Sequence, residues 1–116
     1  MNELDIPIIK KSFELYKTFH EYRKVIPKQD RFTIFEKADT LIIELVASFL
    51  EAGYVQRVNK VGILDKSSVT LNMIRFFIRL MKEIKVIDNK KYIILQEMID
   101  EIGRMLGGWI RSSGTR

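Results

Sequence analysis

The chain has no cysteine, one histidine and two prolines among its 116 residues. Without cysteine there is no disulfide, no thiolate nucleophile and no thiolate-ligated metal, which suits a reducing, cytoplasmic setting. A single histidine, His20, cannot supply an HExxH pair or the Glu-x-x-His repeats of carboxylate-bridged metal bundles. No uncharged apolar run is long enough to span a bilayer, and no segment reads as a signal peptide, so no membrane partner is expected. Alternation at period two never lasts beyond a few residues, which argues against strands and against any phosphate loop that follows one.

What the chain does have is hydrophobic residues (47%) and charge (30%), a balance that excludes a disordered chain and fits one domain over residues 1–116. Both prolines sit at edges. Asp5-Ile6-Pro7 reads as a helix start, with Asp5 as cap and Pro7 in the first turn; Pro27 ends that helix. Gly53 is placed to cap the C-terminus of a second helix, and Asp65, Ser67 and Ser68 to open a third. The spacing predicts helices over about residues 6–25, 32–52, 67–85 and 91–112. The stretch YVQRVNKVGILDK is the least regular, although the second helix could continue into it, and the tail SGTR reads as frayed. Four such helices joined by short connections imply an all-α, up-down-up-down bundle.

On a helical wheel, Leu95, Met98, Ile99, Ile102, Met105, Leu106, Trp109 and Ile110 share one arc of about 160°, an ordinary core face. The third helix differs. Ser68, Asn72, Arg75, Arg79 and Lys82 occupy a strip only about 80° wide, and apolar residues, Phe76 and Phe77 among them, cover most of the rest. A bundle core needs a narrower apolar face, so the excess points to self-association. Arg23 and Asp39 fall inside apolar arcs. Asp39 is expected to pair with Arg23 or His20, within or between subunits, unless these charges snorkel at the rim.

No catalytic constellation is visible, no metal site or cofactor is implied, and His20 reads as a packing residue. Charge is uneven: residues 54–87 carry seven basic side chains against two acidic ones, a surplus equal to the chain's net +5. Arg75, Arg79 and Lys82 follow i, i+4, i+7 on one face, and arginine forks suit phosphate. Such a strip is also an ordinary solvated face. With little aromatic interleaving exposed along it, contact with a nucleic-acid backbone is expected rather than base reading.

The stretches RFFIRLM (75–81) and EIGRMLGGWIRS (101–112), with YKTF and IPKQDRFTIFEKADTLIIELVASFLEA across the first two helices, carry a resemblance. The chain resembles the accessory variability determinant (Avd) proteins of diversity-generating retroelements. These belong to a wider group of four-helix bundles that includes proteins encoded by intervening sequences in 23S ribosomal RNA genes. The resemblance implies a non-catalytic partner of a reverse transcriptase, assembled as a homopentameric ring. Such a protein binds RNA or DNA through a basic surface and supports mutagenic cDNA synthesis and retrohoming. Arg75 and Arg79 match the family's Arg-Phe-x-x-Arg helix, and Arg104 matches the arginine of the closing motif; with Lys82 these are the candidate nucleic-acid or polymerase contacts. Gly103 and Gly107, one turn apart beside Trp109, are expected to border a helix–helix contact inside the bundle or between subunits. The alternatives are an intervening-sequence-type protein, RNA-binding or purely structural, without a polymerase partner. A HEPN-type nuclease fits poorly, since no arginine precedes His20.

Overall fold

The computed structural model describes residues 2–113. Its four helices are α1 (Pro7–Tyr22), α2 (Ile34–Tyr54), α3 (Arg57–Glu83) and α4 (Asn89–Ser113). Short 3-10 turns precede α1 (Glu3–Asp5) and follow it (Arg23–Val25 and Lys28–Asp30). Each helix packs mainly on its neighbours in chain order, and α4 closes the square against α1. At 1.5 Å per residue the 27-residue α3 is about 40 Å long. It therefore runs almost the full 44 Å of the molecule's long axis.

The helix ends depart from the expected ones for local reasons. Pro7 does open α1, but Asp5 does not cap it. Asp5 belongs to the preceding 3-10 turn, which Asn2 caps by accepting the Leu4 N–H. Regular α-helix stops at Tyr22 rather than near residue 25, because Ile26, preceding Pro27, is forced into an extended conformation. The backbone tightens into a 3-10 turn to reach it.

The α2–α3 junction is the largest correction. Gly53 lies inside α2 without a positive φ, and the helix continues to Tyr54, whose hydroxyl donates to the Glu3 carboxylate. Extended Val55 and Gln56 make the turn alone, so no left-handed residue is needed. α3 then starts at Arg57, about ten residues before the expected start. Ser67 is not a cap but a buried interior residue, its hydroxyl donating to the Ile63 carbonyl at 2.9 Å. Leu64, fully buried, ties this added length into the core. Arg57 donates to the carbonyls of Ser112 (2.9 Å) and Ser113 (3.3 Å), satisfying the open C-terminal end of α4. Ser113, expected to fray, is helical and buried; the rest of the expected frayed tail lies outside the described residues.

α3 ends in a Schellman turn. Val86 N–H donates to Met81 O at 2.8 Å and Lys85 N–H to Lys82 O at 3.0 Å, with Lys85 left-handed at φ 63°. Val86 and Ile87 fold under to plug the core. Asp88 then caps α4, accepting the Lys91 N–H at 2.8 Å, so α4 begins at Asn89.

The core holds Phe19 stacked on Phe35 (centroids 4.3 Å apart), Phe49, and the inward stripes Leu71, Ile74, Ile78, Met81 and Leu95, Ile99, Ile102, Leu106. Lys11 bridges α1 to α4 through Glu101 at 3.3 Å. Asp39 does not pair with Arg23 or His20 within the chain. Its carboxylate lies near the Tyr16 hydroxyl, and burial of Tyr16 together with this neighbour raises the Tyr16 pKa. Arg23 instead lies over the Phe32 ring, 5.4 Å from its centroid, and His20 is exposed beside Tyr16.

Two outcomes follow from this geometry. Leu64→Ala should cost about 2–5 kcal/mol in chemical denaturation, as for any core leucine. Val58→Ala, at a position 82% exposed in the same added length, should stay within about 0.5 kcal/mol. Lys85→Gly should raise stability by about 0.5–1 kcal/mol by relieving the left-handed lysine, read as a higher denaturation midpoint.

Candidate nucleic-acid interface

Burial of Leu71, Ile74, Ile78 and Met81 fixes the rotation of α3, and that rotation places its polar strip along the seam with α4. Two open recesses run along this seam and share Asn72 and Arg75. One, of about 480 Å³, is lined by Ser68, Asn72, Arg75, Asp100, Gly103 and Arg104 with Leu71 and Leu106. The other, of about 410 Å³, is lined by Asn72, Arg75, Phe76, Arg79, Tyr92 and Gln96. Together they make one groove that holds three of the four candidate contacts; Lys82 lies one turn beyond Arg79.

The four basic residues are not equivalent. Arg75 forms an ion pair with Asp100 across the seam. Its guanidinium, helped by the Gln96 amide and the charge of Arg104, holds the Asp100 carboxyl below the usual carboxylate range, against partial burial. Lys82 folds over the Tyr92 ring, 4.9 Å from its centroid, and reaches Glu83 only at 4.0 Å. Arg79 and Arg104 are exposed and make no hydrogen bond or ion pair among the described residues. Two of the three arginines in the groove therefore carry their charge without an ion pair.

One aromatic changes the expected chemistry. Phe76 is 64% exposed and lines the groove between Arg75 and Arg79, its ring edge-on to the half-buried Phe77. A flat ring between arginines offers a stacking surface as well as phosphate donors. The wheel placed Phe76 in the apolar excess but could not show that it borders the basic strip. Tyr92 and Gln96 were also missed as groove residues, because they come from α4 and only the α3–α4 packing brings them alongside.

The closing-motif residues separate in space. A Cβ at Gly103 would meet the Arg75 guanidinium at 3.5 Å and Leu71 at 3.7 Å, so Gly103 lies directly beneath the Arg75–Asp100 pair. At Gly107 the one neighbour within 4 Å among the described residues is the Arg111 guanidinium of the same helix, at 3.4 Å. Trp109 is half-buried against Phe49, with Lys60 over its ring at 5.6 Å. From Phe76 at the groove's edge, Met73 and Val69 continue an exposed apolar stripe on α3. Among the described residues no group of acidic or histidine side chains could hold a metal ion, and no helix is long and apolar enough to cross a membrane.

A family model described as bAvd-like matches residues 7–113, from the first residue of α1 to the last of α4. No curated protein matches the chain.

The position of Gly103 sets a graded outcome. Gly103→Ala meets only ordinary van der Waals contacts and should gain about 0.5–1 kcal/mol of helix stability. Gly103→Leu should push Arg75 off Asp100 and lose that gain, seen as a lower melting temperature than the alanine variant.

Proposed function

The chain belongs to the bAvd-like family, and we propose that it is a non-catalytic accessory protein of a diversity-generating retroelement. In this reading it binds the reverse transcriptase and the template RNA or its cDNA in the cytoplasm, and it supports mutagenic cDNA synthesis and retrohoming. The observation that carries the nucleic-acid part is the α3–α4 groove, where Arg79 beside Phe76 and Arg104 farther along the seam are exposed and make no ion pair among the described residues. Backbone phosphates would meet the arginine forks, with affinity falling steeply as salt rises. A base from an unpaired strand would lie against Phe76.

The exposed stripe Val69, Met73 and Phe76, with Phe13 and Ile43 exposed on α1 and α2, supports self-association, for which the family resemblance suggests a homopentameric ring. A ring would present the groove five times over and multiply its effective affinity for a long strand. Phe76 stands where stripe and groove meet, so assembly would bring the nucleic-acid surface close to the subunit boundary.

Arg79→Ala should weaken binding of single-stranded RNA and lower the slope of log affinity against log salt by about one. Asp100→Asn should strengthen binding by releasing Arg75 and removing the groove's negative charge, while changing stability by no more than about 1 kcal/mol. Fluorescence anisotropy over a salt series reads both. If neither variant moves the affinity, or the chain binds no RNA at low salt, the groove is not the interface. Co-purification with the reverse transcriptase and a cDNA priming assay test the polymerase role, with Arg75→Ala/Arg79→Ala expected to abolish the complex and leave the oligomer intact.

A further inference from the structure

We infer that a recess at the end of α1, apart from the α3–α4 groove, binds a phosphate group. It measures about 420 Å³ and is lined by His20, Glu21, Arg23, Lys24 and Arg31. The single carboxylate among these, Glu21, is already engaged by Lys24 at 2.8 Å. The two arginines are anchored by partners that carry no charge. Arg31 Nε donates to the Ile26 carbonyl at 3.0 Å, and the Arg23 guanidinium rests on the Phe32 ring. Neither forms an ion pair among the described residues.

This is the reverse of Arg75, whose anchor, Asp100, also cancels its charge. A carbonyl and a phenyl ring orient a guanidinium while leaving its full charge and its terminal N–H groups for a ligand. Both arginines are half-buried, which limits the side-chain entropy lost on binding. Cations also favour the C-terminal end of a helix, and this accounts for Arg23 and Lys24. It does not account for Arg31, which enters from beyond Pro27 and is fastened to the connection rather than to α1. Two oriented forks converging on one recess suit the oxygens of a phosphate, with Lys24 and the His20 ring as additional donors. The phosphate could belong to a small anion, to the 5′ end of a strand, or to a strand's backbone.

The full chain is titrated with inorganic pyrophosphate and with a short single-stranded RNA, with and without a 5′-phosphate, by calorimetry and by amide chemical shifts. Arg23→Gln/Arg31→Gln should weaken pyrophosphate binding at least about tenfold, whereas Arg79→Ala should leave it unchanged. A 5′-phosphate that raises RNA affinity only in the unmutated recess identifies a strand end. Equal loss for both RNAs identifies the backbone, and loss for pyrophosphate alone identifies a small anion. Each supports the recess. Unchanged pyrophosphate affinity in the double variant, or no saturable binding by the unmutated chain, overturns it. Should the double variant fail to fold, the unmutated chain decides: shifts centred on residues 20–31 support the recess, and shifts centred on residues 68–106 overturn it. Loss of RNA binding in Arg79→Ala with pyrophosphate retained separates the two surfaces, so either can fail without the other.

Discussion

The rotation of α3 about its own axis is the constraint on which the other features depend. Its buried stripe, from Leu64 through Leu71, Ile74 and Ile78 to Met81, packs between α2 and α4 and permits one orientation. Several kcal/mol of apolar burial hold that orientation, far more than any exposed ion pair could contribute. Once it is set, Ser68, Asn72, Arg75 and Arg79 must line the α4 seam, and Val69, Met73 and Phe76 must face outward. The basic groove and the apolar stripe are thus two consequences of one packing decision.

Much of this was legible in the residues. Four amphipathic stretches, two edge prolines and the absence of strand alternation were enough for the bundle, and the i, i+4, i+7 spacing was enough to put three cations on one face. The errors have a common physical source: local propensity was read where tertiary contacts decide. Gly53 looked like a cap because glycine often is one, yet the Tyr54–Glu3 bond and an extended Val55–Gln56 link made a left-handed residue unnecessary. Ser67 and Asp65 looked like starts because such residues favour caps, but burial of Leu64 extended the helix through them. Among the described residues the left-handed position turned out to be Lys85, where the side chain gives no hint of it and the Schellman bonds impose it.

The site was legible on one side only. Wheel geometry describes one helix at a time, so it supplied the α3 strip and left out Tyr92, Gln96 and Asp100, which α4 brings to it. That omission mattered most for Arg75. Read alone it is a strong phosphate donor; read with Asp100 it is a cation already balanced across the seam. Gly103 follows the same logic. A wider residue there would contest the space of the Arg75 guanidinium, so the glycine belongs to the arginine's environment as much as to its own helix. At Gly107 the corresponding neighbour among the described residues is Arg111 of its own helix rather than a side chain of another.

The means by which a guanidinium is anchored therefore says more about binding than its position does. An arginine held by a carboxylate contributes orientation across a helix seam but little net field. One held by a carbonyl or a ring keeps its field, and one held by nothing keeps both field and freedom. The chain uses all three: Arg75, then Arg23 and Arg31, then Arg79, with Arg104 making no hydrogen bond or ion pair among the described residues but sharing the field of Asp100. A strand approaching the α3–α4 groove would meet mobile, uncommitted charge, suited to a polyanion whose phosphates need not sit in one place. A ligand at the end of α1 would meet charge already fixed in direction, suited to a single phosphate held in register. Two surfaces of one small bundle thus differ in how they would hold an anion, and the difference arises from neighbours that carry no positive charge at all.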